Sequence, residues 1–207
     1  MRSNTPTIHQ AATHQGGRAD AHQSDLTELR RAVSTCLLFE QTFYEKGSDI
    51  AARIADLCTK VENGEIATLA RQARTEMKLR HVPLFLCVQL ARKRWAALAP
   101  VLEDVIQRPD ELAEFLSLYW TPSRQPLSGQ VKKGLAAAFR KFSAYQLAKW
   151  NRANAITLRD VLFLCHAKPK DAEQAETWRK LIDNTLPVPD TWETALSSGQ
   201  GKRESWE

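Results

Sequence analysis

The chain has 207 residues, of which 43% are hydrophobic and 26% are charged, and its formal net charge is +5. These values are ordinary for a globular protein with a real core, and the length is that of one domain or of one and a half. No apolar run approaches the roughly 20 residues of a membrane-spanning helix. The first ten residues lack the apolar segment of a secretory signal. We therefore expect a cytoplasmic protein that does not associate with membranes.

The first 23 residues are rich in Thr, Gln, His, Ala and Gly, and Ile8 is their only large aliphatic residue. A segment so poor in apolar residues cannot bury enough surface to offset the entropy lost on ordering. We expect a disordered tail over residues 1–23 and a folded region over residues 24–207. The three histidines of the tail have no fixed spacing and predict no metal site.

From Ser24 onwards the apolar residues have helical spacing. Ser24, with acidic residues in the next turn, predicts the N-terminal cap of a first helix. Ser48 predicts the start of a second helix and Glu65 the start of a third. Pro83 lies at the start of a fourth helix, which is apolar on most faces and should be central. The apolar positions of the first helix are Leu26, Leu29, Val33, Cys36, Leu37 and Leu38.

Further helices are expected after Pro100 and Pro109, from about Ser128, and from about residue 171 to residue 184, with a loop over residues 121–130. No stretch has the sustained alternation of a strand. Helices of about 10 to 18 residues joined by short turns favour stacked antiparallel pairs. The expected fold is all-α, with HEAT-like antiparallel helix pairs that form part of a curved solenoid or ring.

No arrangement of residues in the sequence predicts catalysis. Outside the tail the only histidines are His81 and His166, and neither belongs to a nucleophile motif. The phosphate-binding and dinucleotide-binding glycine motifs are absent. The acid pairs at residues 103–104 and 110–111 are explained by helix capping and solvation. The four cysteines predict reduced core thiols, because each lies in an apolar stretch without a Cys-x-x-Cys pair: Cys36, Cys58, Cys87 and Cys165. We expect no catalytic residue, no metal and no cofactor.

The positive charge is concentrated in residues 124–170. This segment has one acid, Asp160, and carries a charge of +9, so that the rest of the chain carries −4. One basic stretch in a mildly acidic chain is typical of a surface that binds a polyanion. The alternative is a basic face that only keeps the protein in solution. The ten basic residues are Arg124, Lys132, Lys133, Arg140, Lys141, Lys149, Arg152, Arg159, Lys168 and Lys170.

The helix that begins near Ser128 gives part of this charge a defined geometry. Lys133 and Arg140 are seven residues apart and share one face, with Lys132 on the flank. The alanines between them keep this face low, so that a backbone phosphate can approach it. The opposite arc is apolar and consists of Val131, Leu135, Ala138, Phe139 and Phe142.

The rest of the basic segment leaves alternatives open. Lys149 and Arg152 share a face at i, i+3. Tyr145 and Trp150 are either core residues or rings on which bases stack. His166 lies just before Lys168 and Lys170; it either ends a helix and bonds to a backbone carbonyl, or it donates to RNA.

Five stretches of the chain resemble the TROVE module, which is shared by the Ro autoantigen, bacterial Ro-like proteins and the telomerase- and vault-associated protein. They are LRHVPLFLC, IQRPDELAEFLSLYW, LSGQVKKGLAAAFRKFSAYQLAKWNR, ITLRDVLFLCHAKPKD and PDTWETALSSG. The resemblance extends from about Leu29 to the C-terminus. It implies HEAT-like repeats bent into a ring, which bind small noncoding Y RNAs on the outer surface and single-stranded 3′ ends of misfolded RNAs in the central hole. The family's basic helix and its His-x-Lys-Pro segment map onto Lys132, Lys133, Arg140, Lys141, His166, Lys168 and Lys170.

The chain also departs from the family pattern. Full Ro proteins complete the ring and add a von Willebrand A domain that holds a divalent metal, and KRESWE is reached without that domain. We expect an incomplete module, either truncated or closed by another chain, and carry over RNA contact alone.

The function expected from these features is RNA binding of the Ro type within a ribonucleoprotein. The expected partners are small noncoding RNA, structured or with single-stranded ends, together with a 3′ exoribonuclease and further copies of the chain. The predicted RNA-binding residues are those mapped from the family together with Lys149, Arg152 and Arg159. The alternative function is a helical scaffold whose groove binds an acidic protein partner.

Overall fold

A computed structural model describes residues 13–46, 48–123, 126–143, 145–147 and 168–183. Within these ranges the ordered elements are helices and no strand occurs, which confirms the all-α prediction. None of the described helices is both long and apolar enough to cross a bilayer. The α-helices with named bounds are α1 Thr13–Thr35, α2 Phe43–Lys46, α3 Ser48–Lys60, α4 Asn63–Thr75, α5 His81–Arg92, α6 Leu98–Val105, α7 Pro109–Ser123, α8 Gly129–Arg140 and α9 Ala172–Asp183.

Helix α1 begins at Thr13, so Ser24 lies inside the helix and is not its cap. Residues 13–23 are therefore helical, although their composition predicts a disordered tail; residues 1–12 lie outside the described residues. Leu29 and Val33 are completely buried and anchor the second half of the helix. Once this part is formed, each further residue adds one hydrogen bond for the residue it orders, so the helix extends into a sequence that is poor in apolar residues.

The end of α1 differs from the apolar pattern as well. The helix ends at Thr35 and two short 3-10 turns follow, Cys36–Leu38 and Glu40–Thr42. A 3-10 turn has a different angular step from an α-helix, so it changes the direction of the side chains that follow. Leu37 and Leu38 are 51% and 86% exposed and do not join the core that their spacing predicts.

Helix α5 is the centre of the described structure, as its sequence predicts. It packs against α3, α4, α6 and α7. From Val82 to Ala91 every residue except Phe85 is buried. A fully buried aliphatic side chain contributes roughly 1.5–3 kcal/mol relative to an exposed one, so this helix supplies much of the stabilising burial.

Hydrogen bonds to backbone groups terminate α5 at both ends. The Glu40 carboxylate accepts hydrogen bonds from the backbone N–H groups of Arg80 and His81, and the latter bond is 2.5 Å long. These donors have no partner inside the helix, and the positive end of its dipole favours an anion there. At the other end Arg94 adopts a left-handed φ of 52°, and Trp95 N donates to Leu90 O at 3.2 Å. This is a Schellman termination with a non-glycine residue in the left-handed position.

Glu111, in the first turn of α7, is the centre of a buried ionic cluster. Its side chain is 1% exposed and accepts two bonds from Arg74 Nη2, of 2.8 and 3.0 Å. Its Oε2 also accepts from the backbone N–H groups of Gln107 and Arg108, which precede the helix. The sequence predicts that this acid caps the helix and is solvated. The capping is confirmed, but the side chain is buried in contact with Arg74 and is not solvated. The cluster joins the start of α7 to α4.

Candidate nucleic-acid interface

Helix α8 has the two faces that its sequence predicts. Ser128 caps it by accepting a hydrogen bond from Val131 N at 3.3 Å. Lys133 is exposed and Arg140 is partly exposed. The predicted apolar residues are all buried: Val131, Leu135, Ala138, Phe139 and Phe142.

The apolar face of α8 packs closely on α6, and Gly134 makes this contact possible. A Cβ atom at Gly134 would lie 2.8 Å from the carbonyl oxygen of Ala99 and 2.9 Å from Leu102 Cβ. A residue with a side chain would therefore push the two helices apart, because observed Cβ atoms essentially never come within 3.0 Å of such atoms. The close packing places the basic face of α8 beside α6.

A groove of about 530 Å³ lies where α6 and α8 meet, and we call it the basic groove. Lys133 and Arg140 lie about 10 Å apart along α8, since each residue rises by about 1.5 Å. Among the described residues neither side chain has an ion-pair partner. Of the alanines expected to keep this face low, Ala137 lines the groove, whereas Ala136 and Ala138 are buried. The lining residues are Ala99, Pro100, Glu103, Lys133, Ala137, Arg140 and Lys141.

Lys141 lies in the basic groove but is paired with an acid. Its Nζ is 3.0 Å from Glu103 Oε1 and donates to Glu103 O at 3.3 Å. The Lys141 and Glu103 side chains are 52% and 38% exposed, so solvent screens the pair and it contributes little to stability. This cation is therefore partly neutralised, in contrast to Lys133 and Arg140.

Helix α9 brings a distant lysine to the end of α8. Gln174 Nε2 donates to Arg140 O at 3.1 Å, and Gln174 Oε1 accepts from Lys170 N at 2.9 Å. Trp178 is buried with its ring 4.9 Å from that of Phe139. As a result Lys170 lines a second groove, of about 350 Å³, together with Arg140 and Lys141. Lys170 is also 3.6 Å from Asp171.

The remaining predicted site residues are divided between described and undescribed parts of the chain. Lys132 is partly buried on the flank of α8, and Lys168 is exposed ahead of α9. Tyr145 is 75% exposed, which excludes the core alternative for this ring. The other predicted residues lie outside the described ranges: Lys149, Trp150, Arg152, Arg159 and His166.

Sequence reasoning missed the residues that α6 contributes to the groove. Ala99, Pro100 and Glu103 face α8 from a helix about thirty residues earlier in the chain. The signal that could have found them is Gly134, because a glycine inside an amphipathic helix often marks a close helix–helix contact. Even so, the glycine alone does not identify the partner helix.

Other candidate chemistry in the described residues is structural. His81 Nδ1 lies 2.7 Å from Glu114 Oε1, which also accepts from the Tyr44 hydroxyl at 2.6 Å. Burial raises the pKa of the Cys58 and Cys87 thiols to about 12, which keeps them protonated and unreactive. Over the part of the chain that the structure describes, no three His, Cys, Asp or Glu residues are placed to hold a metal ion.

Comparison of the chain with models of protein families, with curated proteins and with solved structures gives no match.

Proposed function

We propose that this chain is an RNA-binding protein and that the exposed face of α8 contacts the phosphates of the RNA. The observation that carries the proposal is the pair of cations in the basic groove, Lys133 and Arg140, which have no acidic partner among the described residues. Such cations bind phosphate without first breaking an ion pair, and the counterions released from the nucleic acid favour association.

Two further observations support an extended contact. Lys141 and Lys170, each paired with an acid, line the adjoining groove against α9 with Arg140, so that three cations face two acids there, Asp171 and Glu173. Tyr145 has an exposed ring and follows Ser143, which lines that second groove. Base–aromatic stacking favours single-stranded nucleic acid and tolerates any sequence.

The packing of the helices supports a HEAT-like solenoid. Helices two apart in the chain contact each other at α4–α6, α5–α7 and α6–α8, and neighbours contact each other at α4–α5 and α5–α6. Stacked helix pairs make both kinds of contact as each pair covers the next. With the resemblance to the TROVE module, this arrangement favours small noncoding RNA as the ligand, bound as part of a ribonucleoprotein.

Charge reversal tests the proposal. Lys133→Glu and Arg140→Glu should each weaken binding of a fluorescently labelled structured RNA by about tenfold, measured by anisotropy at constant salt. The matched control is Arg31→Glu, an exposed residue of α1 whose substitution changes the net charge by the same amount. It should leave the affinity nearly unchanged. Equal effects of all three substitutions would mean that only net charge matters, and the proposed site would be wrong.

The alternative function, a scaffold for an acidic protein, predicts a different result for the purified protein. If the chain binds RNA, nuclease treatment should lower a raised ratio of absorbance at 260 nm to that at 280 nm. An unchanged ratio, together with binding of a poly-glutamate peptide but not of RNA, would favour the scaffold.

A further inference from the structure

The basic groove contains a carboxylate that a site for phosphate alone does not need. Glu103 lines the groove with Lys133, Arg140 and Lys141, and 38% of its side chain is exposed. A negative charge at this position repels every phosphate that enters the groove. A carboxylate in a cationic groove therefore suggests that the ligand offers a hydrogen-bond donor as well as negative charge.

The ion pair holds this carboxylate in position. Lys141 Nζ contacts Glu103 Oε1 at 3.0 Å and the backbone oxygen of the same residue at 3.3 Å. These contacts use one of the two carboxylate oxygens. The other, Oε2, accepts no hydrogen bond from the described residues and is available as an acceptor for a ligand.

The walls of the groove indicate which part of a nucleic acid lies there. Its uncharged lining consists of Ala99, Pro100 and Ala137, and no aromatic side chain lines it among the described residues. A base would have no ring to stack on, so we expect the sugar–phosphate strand to occupy the groove. The hydrogen-bond donor of that strand is the ribose 2′-hydroxyl, which DNA lacks.

We propose that Glu103 is a specificity-determining residue that makes the basic groove select RNA over DNA. The inference rests on the proposed function, because it assumes that the groove binds a nucleic-acid strand. The carboxylate repels the phosphates of both polymers equally. In RNA a hydrogen bond from the 2′-hydroxyl to Glu103 offsets this repulsion, whereas DNA has no compensating donor.

The test compares oligouridylate with oligodeoxyuridylate of the same length, so that the two labelled probes differ only at the 2′ position. The unmodified protein should bind the RNA probe about fivefold more tightly than the DNA probe. In Glu103→Ala the ratio should fall to about one, mainly because DNA binding improves when the negative charge is removed. Glu103→Gln should give an intermediate ratio, since the amide oxygen still accepts a hydrogen bond.

Asp104→Ala is the matched control. Asp104 is the next residue of α6 and is paired with Arg71 at 2.6 Å, outside the lining of the basic groove. Its removal changes the net charge by the same amount as Glu103→Ala. It should therefore strengthen the binding of both probes equally and leave the ratio of RNA to DNA affinity unchanged. Thermal denaturation of each variant confirms that it is folded.

The outcomes separate the two proposals. In one outcome both probes bind, charge reversal at Lys133 weakens their binding, and Glu103→Ala and Glu103→Gln leave the ratio of RNA to DNA affinity unchanged. The role of Glu103 is then refuted and the proposed function survives. If neither probe binds but the structured RNA does, the role of Glu103 is refuted and the proposed function survives; if the structured RNA does not bind either, or if its binding is unaffected by charge reversal at Lys133 and Arg140, both proposals fail.

Discussion

Adding a methyl group at Gly134 should destabilise the protein, even though alanine is the better helix former. The new Cβ atom would lie 2.8 Å from the carbonyl oxygen of Ala99 and 3.0 Å from its Cα atom. These are backbone atoms of α6 and cannot rotate aside as the end of a flexible side chain can. Helix α8 must therefore move away from α6, and the buried contacts around Leu135 and Leu102 loosen.

Two opposing effects determine the size of the change. Replacing glycine by alanine inside a helix stabilises it by about 1 kcal/mol. Overpacking a tight contact costs about 1–3 kcal/mol, and the contact with the Ala99 backbone places this site near the upper end. The net destabilisation of Gly134→Ala should be about 1–2 kcal/mol. For a domain of this size it corresponds to a fall in Tm of roughly 2–8 °C.

Thermal denaturation followed by far-UV circular dichroism measures this effect. Gly129→Ala is the matched control, because it is the same substitution in the same helix at a position where the added methyl group meets no atom of another element within 4 Å. Its Tm should be unchanged or slightly higher. If Gly134→Ala is as stable as the unmodified protein, the close contact between α6 and α8 does not hold and the reasoning is refuted.

Two other substitutions, one labelling experiment and one pH dependence test separate parts of the fold. Arg94→Gly should stabilise the protein by about 0.5–1 kcal/mol in urea denaturation, because glycine adopts the left-handed φ of 52° without strain. Glu111→Gln should destabilise it by about 3 kcal/mol in the same assay, since Arg74 would keep a largely buried charge without its carboxylate; a loss below about 1 kcal/mol would contradict the described burial. Iodoacetamide at pH 8 should leave Cys58 and Cys87 unlabelled in the native protein and label both after unfolding, as shown by peptide mass mapping. Burial raises the pKa of these thiols in the folded protein, so their contribution to stability is complete below the thiol pKa of the unfolded chain, about 8.5. The free energy of unfolding should decline above that pH, and the contribution should be lost as pH rises through about 12. A free energy of unfolding that does not decline at alkaline pH would count against the burial of the two thiols.

Local sequence signals predict much of the described fold. Ser128 caps α8, Pro109 is the first residue of α7 and Ser48 is the first residue of α3. Each signal acts through hydrogen bonds or backbone angles within one turn, so it needs no knowledge of tertiary structure. The start of α1 is not predicted because the segment before Ser24 is poor in apolar residues, and its helix extends from the anchored half that follows.

The candidate site is harder to predict from the sequence, because its residues come from several helices that are distant in the chain. The spacing of Lys133 and Arg140 predicts their shared face, which is a property of one helix. The pairing of Lys141 with Glu103 depends on the packing of α8 on α6, and the position of Lys170 depends on the contact of Gln174 with the end of α8. Periodicity within one helix carries no information about such contacts.

The central claim is that the basic face of α8 binds phosphate. The salt dependence of RNA affinity tests this claim most directly. For a single-stranded RNA the logarithm of the association constant should fall linearly with the logarithm of salt concentration, with a slope of about −0.7 for each phosphate contact. Two contacts, at Lys133 and Arg140, predict a slope of about −1.4 or steeper, and the double variant Lys133→Gln with Arg140→Gln should lose about 1.4 of its magnitude. A flat salt response, or a slope that the double variant leaves unchanged, would contradict the claim.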